Sequence, residues 1–274
     1  MRFPIGVFDS GLGGLSVAAQ ILQTLPDEKI IYFADNAHVP YGERPLDQIR
    51  EFALDICGFL IEKGSKAIVM ACNMSSAVAL DATRERYPNV PILGVIEPGA
   101  KAAVGVSNGE PIGVLATTGT VNSKAYLRAI ARCHSNVQVI QQACPRFVPL
   151  VESGKADSEE AEEAACTYVN PLLEHGCRTI VLGCTHYPFL RKAIQSAAGS
   201  DVTIVDPAEE TVWALHDILR EEQLLSDTLD SPHVFYTSDD TDGFASLGSA
   251  FLGKPIDAVE SVVWGADLGR VCSV

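Results

Sequence analysis

Two cysteines in this chain stand in matching sequence surroundings. Leu60 to Cys72 reads LIEKGSKAIVMAC, and Leu172 to Cys184 reads LLEHGCRTIVLGC; six of thirteen positions agree, the final Cys among them. Each cysteine follows a short apolar run of strand character and precedes polar residues, Asn73 in one case and Thr185-His186 in the other. Ligands of open parallel sheets bind outside the carboxyl ends of the strands, so both thiols stand where chemistry is done. One such cysteine would suggest a nucleophile partnered by His186, or a small buried filler. A repeat-equivalent pair suggests two groups acting on one bound molecule. Inverting a stereocentre by proton transfer demands such a pair: a base removes the proton from one face, and a conjugate acid returns it to the other. A thiolate and a thiol can exchange those roles. A free thiol, with a pKa of about 8.5, needs help to ionise at neutral pH. Asp9 is the candidate helper for Cys72, and His186 or Glu152 for Cys184.

The elements that must position these groups follow from the apolar rhythm. Short runs alternate with longer amphipathic segments, which predicts an α/β fold with largely parallel sheets. Strands are expected at 5–8, 30–33, 67–70, 92–96, 112–115, 137–140, 179–182 and 202–205, with helices such as 47–62 and 158–175 between them. The cysteine segments recur at an offset of 112 residues. Pro4-Ile5-Gly6-Val7 returns as Pro111-Ile112-Gly113-Val114, and Val39-Pro40 with Glu43 returns as Val148-Pro149 with Glu152. Glu97-Pro98 closes the first set as Asp206-Pro207 closes the second. Matches in the same order with drifting offsets indicate a duplication with small loop insertions. The expected organisation is two pseudo-symmetric, doubly wound lobes with the active site in the cleft between them. Residues 1–97 with 209–274 form the first lobe and 98–208 the second. The tail, with helical spacing over 212–219 and a strand at 234–236, is too short for a core of its own and should pack on the first lobe.

Gly11-Leu12-Gly13-Gly14 follows the first strand. Ser16 stands where a dinucleotide fingerprint needs its third glycine, and no G-x-x-x-x-G-K-[ST] motif exists, so nucleotide binding is not supported. A turn whose backbone N–H groups hold a small carboxylate is the better reading. Of the 274 residues, 20 are Lys or Arg against 35 Asp or Glu, a net charge of −15 that repels nucleic acid. No apolar stretch approaches the ~18 residues of a membrane span, and the N-terminus lacks a signal-peptide pattern, so a cytoplasmic protein is expected. The eight cysteines include no CxxC pair, and most are expected to be reduced and buried.

Asp9-Ser10-Gly11-Leu12-Gly13-Gly14, Val39-Pro40-Tyr41-Gly42, Ala71-Cys72-Asn73, Val148-Pro149-Leu150-Val151-Glu152 and Gly183-Cys184-Thr185-His186-Tyr187-Pro188 together resemble the bacterial glutamate racemases of the aspartate/glutamate racemase family. The resemblance runs from the first strand to about Pro207. It implies interconversion of L- and D-glutamate without pyridoxal phosphate, other cofactor or metal, supplying D-glutamate for peptidoglycan, by a chain that forms a homodimer. Carried over by position, Cys72 and Cys184 are the acid/bases, Asp9 the partner of Cys72, and Glu152 and His186 the partners of Cys184. Asp9, Ser10, Tyr41, Gly42, Asn73, Met74, Thr117, Thr118, Thr185 and His186 fall where the family binds substrate. Threonine usually follows Cys-Asn in that family; here Met74 leaves only its backbone N–H to serve, and Ser75 is the nearest hydroxyl. Aspartate or a hydantoin as substrate, a binding protein without catalysis, and a thiol hydrolase using Cys184 and His186 are the alternatives the residues leave open.

Overall fold

The computed structural model describes residues 3–229, 231–265 and 271–273. The chain divides into two compact units, Met1–Val95 with Thr211–Val274, and Ile96–Glu210.

The first unit is built on seven strands: β1 (Ile5–Asp9), β2 (Ile30–Ala34), β3 (Ala67–Met70), β4 (Ile92–Gly94) and, from the tail, β9 (Val234–Thr237), β10 (Val259–Trp264) and β11 (Val271–Ser273), in the order β11-β10-β9-β2-β1-β3-β4. All pairs are parallel except β10 with β11. The second unit carries β5 (Ile112–Ala116), β6 (Val139–Ala143), β7 (Thr179–Gly183) and β8 (Thr203–Val205), all parallel, in the order β6-β5-β7-β8. The central strands β1, β3, β5 and β7 are buried along their whole length. Helices cover both faces of such a sheet, which is why these strands read as unbroken apolar runs.

Helices α1 (Leu15–Thr24), α2 (Leu46–Glu62) and α3 (Asn73–Arg86) connect the first four strands. In the second unit α4 (Ile96–Ser107), α5 (Thr118–Ser123), α6 (Ala125–Cys133), α7 (Phe147–Glu152), α8 (Glu159–Glu174) and α9 (Arg191–Ala198) do the same work; α10 (Pro207–Glu221) and α11 (Thr241–Leu252) follow. The internal repeat reappears as topology. The spatial order β2-β1-β3-β4 of one sheet is that of β6-β5-β7-β8 in the other. Cys72 and Cys184 follow the third strand of each set.

Local structure departs from expectation at three places. The strand expected over 92–96 ends at Gly94, because Ile96-Glu97-Pro98 already forms the first turn of α4, where proline is tolerated. The strand expected at 137–140 lies at Val139–Ala143 instead. It is an edge strand, half-buried throughout, so its Gln141 and Gln142 do not break it. Val39-Pro40 and Val148-Pro149 match in sequence but not in shape: the first pair is a cis peptide in a loop, and the second lies inside α7.

Candidate active site

In the first unit the site is assembled at the carboxyl ends of β1, β2 and β3. Asp9 ends β1, and the Ala71 N–H bonds the Phe8 carbonyl at 2.9 Å, which brings the residue before Cys72 alongside the end of β1. Asp9 is buried, and its Oδ2 accepts the Gly11 N–H at 3.1 Å, so the carboxylate is tied into the glycine turn. The Tyr32 hydroxyl donates to the Gly11 carbonyl at 2.7 Å, fixing the same turn from β2. Gly14 explains the spacing of this motif: a Cβ there would lie 2.4 Å from the Asp9 Cβ and 2.8 Å from the Tyr32 hydroxyl oxygen. Only glycine lets α1 start so close to the aspartate.

Cys72 occupies the N-cap of α3, its thiol 3.8 Å from the Ser10 hydroxyl oxygen. It packs in an apolar cluster with Tyr41, Ile49, Phe52 and Met74. Burial, and then the Asp9 carboxylate, push the Cys72 thiol up to about 11; the Ser75 N–H and the hydroxyls of Ser75 and Ser10 oppose the shift. Desolvation disfavours the thiolate, and a neighbouring negative charge disfavours it further. Among the groups named, no cation assists ionisation. Burial and that neighbouring charge thus favour the protonated thiol. Met74 is a buried apolar neighbour of the thiol, which adds to that desolvation.

The loop after β2 holds Tyr41 and Gly42. Buried Asp35 is its anchor, accepting from the Tyr41 hydroxyl at 2.6 Å, Trp264 Nε1 at 2.8 Å, the Ser238 hydroxyl at 2.9 Å and His38 Nδ1 at 2.9 Å. The His38 ring stacks on Phe52 with centroids 3.9 Å apart and meets Trp264 edge-on. Burial and the Asp35 charge raise the Tyr41 phenol well above its usual range, so it stays a donor. Sequence reasoning missed Ser238 and Trp264 as partners of Asp35. They stand 203 and 229 residues away, and no local signal points to them.

In the second unit Cys184 follows β7, and its thiol lies 3.8 Å from His186 Nδ1. His186 Nε2 lies 3.1 Å from Glu152 Oε1 at the end of α7. With Glu152 ionised, the carboxylate can only accept, so Nε2 carries the hydrogen and Nδ1 offers a lone pair to the thiol. Cys184 thus faces a chain of groups, His186 and then Glu152, with the geometry of a proton relay. His186 is buried while Glu152 is nearly half exposed, which keeps one end of the relay in contact with solvent. Thr117 caps α5, accepting from the Thr120 N–H at 3.4 Å, and Thr118 is exposed at the same strand end. Thr185 is buried beside Cys184. Cys144, a further thiol at the end of β6, is pushed far up by burial and is chemically quiet. Asp206 spends one oxygen on the Ala208 N–H at 2.9 Å, capping α10. Among the described residues no cluster of three or more His, Cys, Asp or Glu is arranged to hold a metal ion, and no helix is long and apolar enough to cross a membrane.

Sheets that share one parallel strand order, each with a strand-end thiol beside carboxyl or imidazole groups, define an α/β protein whose strand ends carry groups able to exchange protons. The chain belongs to the Asp/Glu/hydantoin racemase family, whose model matches residues 5–215. It is 44% identical over 259 residues to the glutamate racemase of Geobacter metallireducens, covering 94% of this chain and 96% of that one. The glutamate racemase isoform RacE1 of Bacillus anthracis superimposes with a TM-score of 0.90 at 38% identity, covering 95% of this chain and 97% of the other. The glutamate racemase of Francisella tularensis, solved in complex with D-glutamate, gives 0.89 at 34% identity, with 97% and 98% coverage.

Proposed function

We propose that this protein interconverts L- and D-glutamate, with Cys72 and Cys184 as the two acid/bases. Relatives named as glutamate racemases, matched over nearly their whole length, support the reaction and the substrate. The observation that carries the residue assignment is the recurrence of one topology with a thiol after its third strand in both copies. Each thiol has its own surroundings.

In one direction the Cys184 thiolate, formed by passing its proton to His186, takes the α-hydrogen as a new S–H bond. The C–H electron pair stays on carbon as a planar carbanion. The Cys72 thiol then delivers its proton to the opposite face, leaving a thiolate at position 72. The reverse direction runs the same steps backward. Asp9 raises Cys72 and so favours the proton-donating form; a bound substrate ammonium would offset that charge and ease the reverse step. Ser10, Tyr41-Gly42, Asn73, the Met74 N–H, Thr117, Thr118 and Thr185 bind the substrate's charged groups through hydroxyl, amide and backbone donors. The reaction needs no metal or organic cofactor, and its D-glutamate serves peptidoglycan synthesis in the cytoplasm; the working form is a homodimer.

Incubating purified protein with each glutamate enantiomer in deuterated water, with no cofactor added, tests this directly. Deuterium should enter the α-position as the optical rotation decays. Cys72→Ala and Cys184→Ala should each abolish net racemisation. A fully active single variant would refute the two-base scheme, and turnover of aspartate alone would remove glutamate as the substrate.

A further inference from the structure

We propose that the Ser75 side chain is a positioning group for Cys72, its hydroxyl hydrogen turning onto the sulfur to hold the negative charge when the thiol ionises. The proposal deepens the reading of Cys72 as an acid/base and rests on it. Ser75 lies in the first turn of α3, three residues beyond the cysteine at the N-cap. It is fully buried, and its hydroxyl has no hydrogen-bond partner. Native proteins rarely leave a buried hydroxyl unused, and such exceptions mark functional or strained places.

Its neighbours in the same helix behave otherwise. Ser76 donates to the Met70 carbonyl at 2.9 Å and accepts the Val95 N–H at 3.2 Å. Thr83 donates back to the Leu80 carbonyl at 2.8 Å. Ser75 forms neither kind of bond, so its donor is available to a charge that appears only during the reaction. That charge is the Cys72 thiolate, which the Ser75 N–H and hydroxyl both favour. The other titratable groups facing the thiol are Asp9 from β1, Tyr32 from β2 and Tyr41 from the loop after β2. Asp9 opposes ionisation, and both phenols are kept protonated by burial. Ser10 is the one other hydroxyl that helps, and it is partly open to solvent, where a substrate can claim it. Ser75 is shut away from solvent, so neither water nor substrate competes for its donor. A buried donor held beside the place where charge develops, needing only a hydroxyl rotation to meet it, is a form of electrostatic preorganisation.

The test is the pH dependence of Cys72 alkylation by iodoacetamide, followed on the Cys72 peptide by mass spectrometry, in wild type, Ser75→Ala and Ser75→Thr. Losing a hydrogen bond to a charged sulfur should move Cys72 ionisation upward by about one pH unit, so alkylation below that range slows about tenfold. The basic limb of the kcat profile should move with it, while far-UV circular dichroism and Tm stay at wild-type values. Ser75→Thr, which keeps the hydroxyl, should restore the wild-type profile. A folded Ser75→Ala protein with an unchanged Cys72 profile overturns the proposal. Racemisation surviving in Cys72→Ala would instead overturn the acid/base reading, and the alkylation profile would still decide whether the Ser75 bond exists.

Discussion

Replacing Gly14 and Gly105 by alanine adds the same methyl group and should move the protein in opposite directions. Gly14 has helical dihedrals that any residue accepts, so only space opposes alanine there. The new Cβ would lie 2.4 Å from the Asp9 Cβ, 2.8 Å from the Tyr32 hydroxyl oxygen and 3.0 Å from the Ala71 Cβ. Carbon atoms rest at about 3.5–4.0 Å, so α1 and the end of β1 must part by roughly 1 Å. Overpacking of that size costs about 2–3 kcal/mol, or roughly 5–10 °C in Tm for a chain of this length. Gly105 is exposed in α4 with nothing within 4 Å of the added carbon. Alanine there should gain about 0.5–1 kcal/mol from helix propensity and raise Tm by about 1–4 °C. Activity separates the two further. Displacing Asp9 by roughly 1 Å should cost on the order of 10²-fold in kcat/KM, whereas Gly105→Ala should leave it unchanged. Enantiomers have equal free energy, so the loss in kcat/KM must be the same in both directions; only kcat and KM taken separately can differ. Thermal unfolding with polarimetric kinetics in both directions gives all of these quantities. A Gly14→Ala protein with wild-type Tm and kcat/KM would refute the argument that this glycine sets the Asp9 position.

Asp9→Asn should lower the ionisation of Cys72 from about 11, because the second-largest influence raising it is removed, and alkylation at pH 8 should quicken by up to about tenfold; slower alkylation would contradict the sign. Trp264→Phe keeps the ring against His38 and Phe52 but removes one donor to Asp35, so KM should rise severalfold with kcat little changed, as initial-rate kinetics would show. Lys66 bonds Glu28 at 2.6 Å, the Leu224 carbonyl at 2.6 Å and the Ser226 hydroxyl at 3.0 Å while buried. Lys66→Met should therefore cost about 3 kcal/mol in a denaturant titration, and adding Glu28→Gln should recover part of the loss.

The α/β class, most strand positions and the repeat were readable from the chain because parallel strands buried on both faces must be continuous apolar runs. The misplaced element, β6, is an edge strand, where the half-polar Val139–Ala143 satisfies its surroundings without a clean pattern. The pairing of Val39-Pro40 with Val148-Pro149 showed the limit of repeat matching: similar residues there serve a loop in one copy and a helix in the other. The strand-end placement of Asp9, Cys72, Cys184 and His186 was legible for a different reason. A residue directly after a strand has its location fixed by the strand, so sequence position alone brings it to the carboxyl end.

The sequence by itself determined at which sheet end each candidate group emerges, since strand register and the span of one helical turn are local properties. What required the tertiary structure was the environment of each group. Cys72 and Cys184 look alike in sequence, yet packing leaves one thiol buried beside a carboxylate and gives the other a histidine–glutamate relay. Asp35 needs Ser238 and Trp264 to anchor the Tyr41 loop, and the tail brings them there by adding β9 beside β2 and β10 beside β9. Burial, charge proximity and hydrogen-bond partners depend on contacts between segments far apart in the chain, and a one-dimensional pattern does not encode distances of that kind.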